Sequence, residues 1–243
     1  MKNTAIIIPT RLEAKRFPNK PLAKINNVPM IIHVVNRAIE SEVGDVFVAT
    51  PDKEIFQVVE QNGGQAIMTK TIHPSGSDRI YEAYTKKLKN NADLIINLQG
   101  DMPNIKPHSI SKLEKFMRNN TCDIGTLASD ILDNDEVENP NIVKVHTDKI
   151  LKDNDFSKAK DFFRTKKDLK DEKIYHHIGI YAFTSTALSK YVKLPRSKLE
   201  MERNLEQMRA MENNMKIKVG LCSSAPLGVD TEEDLKIVSE EMN

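Results

Sequence analysis

The pentapeptide Gln99-Gly100-Asp101-Met102-Pro103 follows directly on the apolar run Leu94-Ile95-Ile96-Asn97-Leu98. Such a run reads as a buried parallel strand, and open α/β sheets bind ligands beyond the carboxyl ends of their strands. A glycine there lets the backbone approach a ligand closely, and the adjacent aspartate can hold a divalent cation. The plainer alternative at Gly100-Asp101 is an ordinary turn. Thr231 and Asp234 have capping-box-like spacing at the start of a terminal helix.

The segment Pro9–Leu22 joins the first strand to its helix and carries Arg11, Lys15, Arg16 and Lys20. Arginine forks and lysine point charges at a strand's carboxyl end suit a triphosphate. The segment has neither GxGxxG nor GxxxxGK[ST], which argues against a dinucleotide-binding fold and a P-loop hydrolase. With 36 Lys and Arg against 35 Asp and Glu, the formal net charge is +1. An anionic ligand must therefore be met by a local cluster, and nothing global points to nucleic acid.

Cys122 and Cys222 lack CxxC spacing, which argues against a zinc ribbon or a disulfide scaffold. No histidines fall in an HxxxH pair. His176 and His177 are adjacent and point to opposite faces of a strand, whereas Tyr181, four residues on, shares a face with His177. The apolar run Ala5–Ile8 is too short for a signal segment, and no stretch approaches the roughly 18 apolar residues of a membrane span. The expectation is a cytoplasmic protein with no membrane partner.

The elements that must position these residues alternate through the first half. Strands are predicted over Thr4–Ile8, Val46–Thr50, Gln65–Met68, Asp93–Leu98 and Ile124–Ala128. Helices are predicted over Met30–Glu40, Asp52–Gln61, Gly76–Leu88 and Pro107–Asn119. That rhythm argues for a doubly wound, mostly parallel α/β sheet. A hairpin of Ile142–Thr147 and Ile150–Phe156 comes next, then a lysine-rich loop over Lys158–Lys173. A strand over Ile174–Thr184, helices near Ser185–Val192 and Leu199–Asn213, a strand over Lys216–Ser224 and a final helix complete the chain. With no repeat and no Gly/Ser linker, residues 1–243 read as one domain with an inserted lobe over about 130–215.

An ordered series of segments resembles the 3-deoxy-manno-octulosonate cytidylyltransferase (CMP-Kdo synthetase) family over nearly the whole chain. It begins with Ile8-Pro9-Thr10-Arg11, Arg16-Phe17-Pro18-Asn19-Lys20-Pro21-Leu22 and Pro29-Met30-Ile31. Val48-Ala49-Thr50, His73-Pro74-Ser75-Gly76-Ser77-Asp78-Arg79 and Gln99-Gly100-Asp101-Met102-Pro103 follow. Later come Asn139-Pro140-Asn141, Val143-Lys144-Val145, Phe156-Ser157 and His177-Ile178-Gly179-Ile180-Tyr181. Leu199-Glu200, Leu205-Glu206-Gln207-Met208-Arg209 and Gly228-Val229-Asp230-Thr231 close the series.

The resemblance implies a Rossmann-like α/β domain with a smaller dimerising lobe, acting as a homodimer. It implies Mg²⁺-dependent transfer of CMP from CTP to an acidic keto-sugar, 3-deoxy-manno-octulosonate (Kdo), for lipopolysaccharide synthesis. By the same resemblance Arg11, Arg16 and Lys20 meet the triphosphate, and Ser75, Gly76 and Arg79 recognise cytosine. Gln99 lies near nucleotide and sugar, and Asp101 and Asp230 hold Mg²⁺. Together with Lys20 these two carboxylates form the expected catalytic set. His177, Tyr181, Glu206 and Gln207 line the sugar pocket, and Lys158 stands where the family carries the arginine of a Phe-Ser-Arg segment.

Some positions depart from the pattern: Ala14 replaces a serine, Lys158 the arginine, and His176 an Arg or Lys. Lysine keeps charge but loses the bidentate fork. The nucleotide half matches better than the sugar half, which leaves open another ulosonic or amino-ulosonic acid, or a silent nucleotide-binding paralogue. Glu206 and Gln207 also lie beside the apolar stripe Leu205, Met208 and Met215, so a solvated helix face is an alternative for them.

Overall fold

A computed structural model describes residues 3–13, 16–89, 91–153, 155–165 and 173–242. Ala14, Lys15 and residues 166–172 of the expected lysine-rich loop lie outside the described residues. The chain divides into two compact units, residues 1–114 with 226–243, and residues 115–225.

The first unit opens with β1 (Thr4–Pro9), a ribbon of β2 (Lys24–Ile25) and β3 (Val28–Pro29), and α1 (Met30–Glu40). It continues through β4 (Asp45–Thr50), α2 (Lys53–Gln61), β5 (Ala66–Met68), α3 (Gly76–Ala83) and β6 (Leu94–Asn97). The chain passes to the second unit within α4 (Pro107–Asn119). Strands run β5-β4-β1-β6, all parallel. Ile6, Ile7 and Ile8, Val46 to Ala49, and Leu94 to Ile96 are buried, as strands covered on both faces require. Where β4 enters beside β1, a Cβ on Gly44 would lie 2.0 Å from the Thr4 carbonyl oxygen, so only glycine fits. The parallel order brings the carboxyl ends of β1, β4, β5 and β6 to one edge, and the segments after β1, β5 and β6 carry candidate nucleotide residues.

The second unit contains β7 (Ile124–Asp130), α5 (Asn134–Glu138), β8 (Lys144–Thr147), β9 (Phe156–Phe163) and β10 (Ile174–Thr184). α6 (Ser185–Tyr191), α7 (Lys198–Arg203), α8 (Gln207–Glu212) and β11 (Ile217–Cys222) follow. The chain returns to the first unit for α9 (Glu232–Glu241). β7 and β11 pair in parallel, while β10–β7, β11–β9, β9–β8 and β8–β10 are antiparallel. These pairings form a closed circuit of strands.

Three expectations are corrected here. The hairpin pairs β8 with β9, not with Ile150–Phe156, so Lys158–Phe163 is strand and not loop. Lysine density concealed a strand whose Ala159, Phe162 and Phe163 are buried. The helix over Leu199–Asn213 is two helices, broken at Asn204, whose φ of 52° places it in the left-handed region that asparagine tolerates. The helix over Gly76–Leu88 is α-helical only to Ala83 and ends in a π-helical turn over Tyr84–Leu88.

The α7–α8 corner is held by a buried ion pair. Arg209 Nε and NH2 donate to Glu200 Oε2 and Oε1 at 2.9 and 2.6 Å, and both side chains are 2% exposed. Burial alone would raise the Glu200 carboxyl, but hydrogen bonds from Arg209, the Ser197 backbone and Arg196 bring it below the usual carboxylate range. The Arg209 guanidinium also lies over the Tyr191 ring, 4.8 Å from its centroid. Arg209→Met should cost about 3–5 kcal/mol, because it strands a buried carboxylate. Replacing Glu200 and Arg209 together with apolar residues should cost less. Urea unfolding of wild type and these two variants checks this, and an Arg209→Met protein as stable as wild type would show the pair to be dispensable.

Candidate active site

In the first unit the basic segment after β1 is folded back on itself. Phe17 is buried with Ile25, Met30, Val229 and Val238, which anchors the middle of the segment. Asn19 takes φ 58° and Lys20–Leu22 form a 3₁₀ turn, so Lys20 projects from a fixed backbone. Asp52, expected only as a helix start, accepts a hydrogen bond from Leu12 N at 2.8 Å and ties the segment to the end of β4. Arg11 and Arg16 remain exposed.

Lys20 Nζ donates to the Val229 carbonyl at 2.7 Å, to Asp101 Oδ2 at 3.2 Å and to Asp230 Oδ1 at 3.3 Å. Arg16 NH2 approaches Asp230 Oδ2 at 2.8 Å. Val229 N donates to the Asp101 carbonyl at 3.0 Å, which joins the two carboxylate segments through their backbones. Asp234 accepts from the backbone N–H of Asp230 and Thr231 at 2.9 and 2.8 Å, completing the cap of α9 and fixing Asp230 at its entrance. A Cβ on Gly100 would lie 3.3 Å from Thr10 Cβ and 3.4 Å from the Pro9 carbonyl oxygen, so glycine allows the segment after β6 to pass close to the end of β1.

The two carboxylates and a carbonyl thus surround one ammonium with oxygen donors, the kind of set a hard divalent cation takes. Among the described residues no three or more His, Cys, Asp or Glu gather as a metal cage. An ion that completes its shell with water and phosphate oxygens needs only these two carboxylates.

The segment leading into α3 is shaped from within. Ser75 caps the helix, accepting from Asp78 N and donating to Asp78 Oδ2 at 2.6 Å. Gly76 packs on Pro9 at ordinary van der Waals distance, where a Cβ would lie 3.5 Å from Pro9 Cγ. Arg79 is 4% exposed and donates to Thr69 Oγ1, the Lys70 carbonyl and the Thr71 carbonyl. It braces the segment that precedes the cap. Glu82, which sequence reasoning missed, accepts from Lys70 N at 3.0 Å, contacts His73 Nε2 at 2.5 Å and pairs with Lys86 at 2.6 Å. Gln99 Nε2 donates to the buried Asn97 Oδ1 at 3.1 Å, which orients it at the end of β6.

In the second unit His177 and Tyr181 are brought together, ring centroids 5.5 Å apart, and Phe162 meets the His177 ring edge-on at 4.9 Å. Burial pushes the His177 imidazole down to about 3, with a further push from His176. Burial also raises the Tyr181 hydroxyl, reinforced by the Glu206 charge. His176, on the other face of β10, pairs with Glu136 at 3.0 Å. The Tyr191 hydroxyl lies 2.8 Å from the Glu206 carbonyl and 3.3 Å from its carboxylate, holding Glu206 at the start of α8, and Gln207 beside it is buried. Lys158 is exposed on β9, opposite Lys218 of β11, and its carbonyl accepts from Asp148 N at 2.8 Å, while its side chain has no hydrogen bond or ion pair among the described residues.

A family model described as cytidylyltransferase matches residues 5–217. A 3-deoxy-manno-octulosonate cytidylyltransferase of Rhodopseudomonas palustris (strain BisB5) is 45% identical, covering 96% of this chain and 95% of its own. One of Thermodesulfovibrio yellowstonii is also 45% identical, covering 99% and 98%. The solved structure of CMP:2-keto-3-deoxy-manno-octonic acid synthetase complexed with CTP matches with a TM-score of 0.90 and 35% identity, covering 99% and 98%. A 4-diphosphocytidyl-2C-methyl-D-erythritol synthase of Anaerococcus prevotii, at 13% identity and a TM-score of 0.64, shares the fold alone. Fold and site together define a nucleotidyltransferase. The chain belongs to the 3-deoxy-manno-octulosonate cytidylyltransferase family.

The Glu82 cluster carries a pH dependence. Burial would raise its carboxyl, but hydrogen bonds from Lys86, Lys70 N and His73 hold it down to about 2 from 4.5. A depressed carboxyl adds stability that is present above pH 4.5 and is lost as pH falls from 4.5 towards 2. Glu82→Gln should therefore flatten that part of the stability profile and lower stability at neutral pH. Denaturant unfolding at a series of pH values measures it; parallel profiles for the two proteins would contradict the assignment.

Proposed function

We propose that the protein transfers CMP from CTP to the anomeric hydroxyl of 3-deoxy-manno-octulosonate, releasing pyrophosphate. In a chain of this family, the carrying observation is the meeting of Lys20 with Asp101 and Asp230 beside the basic segment after β1. In this reading Arg11, Arg16 and Lys20 neutralise and orient the triphosphate, and Asp101 and Asp230 hold Mg²⁺. Bound there, Mg²⁺ would acidify the sugar hydroxyl and stabilise charge on the α-phosphate.

The sugar oxygen forms the new bond to the α-phosphorus as the bond to the β-phosphate oxygen breaks, and no side chain acts as nucleophile. Phosphoryl-type transfer needs positioning and charge neutralisation above all, which is what this set of residues offers. Ser75, Gly76 and Arg79 recognise cytosine in this reading, Arg79 by shaping the segment before the helix cap. Gln99 borders nucleotide and sugar. His177, Tyr181, Glu206 and Gln207 receive the sugar, and Lys158 is the candidate for its carboxylate. The same reading carries a Rossmann-like nucleotide domain, a second unit that dimerises, a homodimer and a role in lipopolysaccharide synthesis in the cytoplasm.

Pyrophosphate release tests the proposal with CTP, UTP and ATP against a panel of keto-sugar acids in Mg²⁺. Turnover should need CTP and be highest with 3-deoxy-manno-octulosonate, because a site built on hydrogen bonds rejects a base that cannot complete them. Equal rates with CTP and UTP would remove the base assignment, and a preference for another acid would reassign the sugar. Asp101→Asn and Asp230→Asn should each lower kcat by about two to three orders of magnitude with the fold intact, on the scale of single electrostatic groups in other enzymes. Circular dichroism checks the fold, and near wild-type turnover in either variant removes that residue from the site.

A further inference from the structure

The ladder between β10 and β7 is interrupted. Its register runs Ile178 opposite Leu127 and then Tyr181 opposite Thr126, which leaves Gly179 and Ile180 without facing residues of their own. A bulge of this kind disrupts ladder pairing locally, and buried carbonyls need a donor from elsewhere. The Thr126 side chain supplies it. Thr126 is fully buried, and its hydroxyl oxygen lies 2.7 Å from the Ile180 carbonyl, 3.1 Å from the Ile178 carbonyl and 3.0 Å from His177 Nε2.

These distances decide where the protons are. A carbonyl oxygen can only accept, and a hydroxyl has one proton to give. The Thr126 proton therefore goes to a carbonyl, the shorter contact being Ile180. What Thr126 then turns towards His177 is a lone pair. A second lone pair on Nε2 would face it at hydrogen-bond distance, so Nε2 must carry a hydrogen and donate. The ring is neutral, because burial disfavours its charged form. A neutral imidazole with its hydrogen on Nε2 has a bare lone pair on Nδ1. Nδ1 has no hydrogen-bond partner among the described residues, and Phe162 and Tyr181 pack against the ring.

We infer that Thr126 is a positioning residue that locks His177 into its Nε2–H tautomer and so makes Nδ1 an acceptor for a sugar hydroxyl. The inference rests on the proposed reading of His177 as a sugar-binding residue and gives that contact a direction. An uncharged acceptor selects a ligand hydroxyl and repels a ligand carboxylate, so the acid group of the sugar must be met by another residue. Discrimination at this point is thus between a hydroxyl donor and a group that can only accept. One hydroxyl thereby satisfies the bulge and sets the hydrogen-bonding sense of the ring.

The test combines spectroscopy with kinetics. In protein labelled with ¹⁵N-histidine, long-range ¹H–¹⁵N correlation reports which ring nitrogen bears hydrogen, with His177 assigned by its loss in His177→Gln. Wild type should show protonated Nε2 and bare Nδ1, Thr126→Ser should keep that pattern, and Thr126→Val should lose it. Thr126→Val should also raise the KM for the sugar acid about tenfold, the scale of one hydrogen bond, with the CTP KM unchanged. Thr126→Ser should restore the sugar KM.

A wild-type ring with hydrogen on Nδ1, or on both nitrogens, overturns the proposal whether or not any variant folds. So does a folded Thr126→Val protein that keeps the wild-type tautomer, or one that changes tautomer without changing the sugar KM. The spectrum needs no substrate. If wild type fails to turn over sugar acids, the sugar reading falls separately, and the tautomer assignment is still decided by the spectrum.

Discussion

One ammonium group ties the first unit's site together. Lys20 projects from a turn whose shape is set by Asn19 in the left-handed region and by Phe17 in the core. Its Nζ reaches Asp101 at the end of one strand segment, and Val229 and Asp230 at the entrance of the terminal helix. Two carboxylates held near each other repel. Lys20 and Arg16 remove that cost, so Asp101 and Asp230 can converge without a bound ligand. The cluster is partly solvated: Asp101 and Asp230 keep part of their side-chain surface exposed while Lys20 is largely covered.

The second unit solves a different electrostatic problem. Its candidate pocket residues are neutral or hydrogen-bonded internally: His177 against Thr126, Glu206 against Tyr191. The Glu200–Arg209 pair is charged and likewise internally satisfied, with the guanidinium also stacked over Tyr191. Lys144 follows the same logic: it is fully buried, and its Nζ donates to the carbonyls of Asn139 and Arg164 at 2.6 and 2.7 Å. Burial lowers its affinity for the proton, and the two carbonyls anchor the ammonium. Buried polar groups of this kind are costly unless satisfied, and once satisfied they fix geometry.

Much of the first unit was legible because its signals are local. The apolar runs of β1, β4 and β6, and the 3.6-residue pattern of α1, mark elements whose bounds the structure reproduces closely, α1 and α4 at both ends. The family resemblance pointed to Asp101, Asp230 and Lys20, which the fold does bring into contact. The second unit was harder to read. β9 alternates lysines with buried Ala159 and Phe162, so charge density hid its periodicity. The break at Asn204 depends on one backbone angle that composition does not reveal. Asp52 and Thr126 escaped notice because one acts on a segment distant in sequence and the other on a bulge, and no spacing rule registers such contacts. Glu82 holds Lys86 at ordinary i,i+4 spacing, but its contacts to Lys70 and His73 reach outside the helix.

The contrast between the units follows from what each must bind in the proposed reaction. In that reading a triphosphate is met by cations and by carboxylates that can share a metal. A polyhydroxylated sugar is met by groups whose donor or acceptor sense is fixed in advance, because a ring nitrogen that could change tautomer would accept two arrangements of the same ligand. Fixing that sense requires burial, and burial of polar groups requires internal partners. The bulge in β10 supplies the opening: it leaves Ile180 without a facing residue, and the Ile180 carbonyl lies 2.7 Å from the Thr126 hydroxyl. The irregularity in the strand and the hydrogen-bonding sense of the ring thus meet at one side chain.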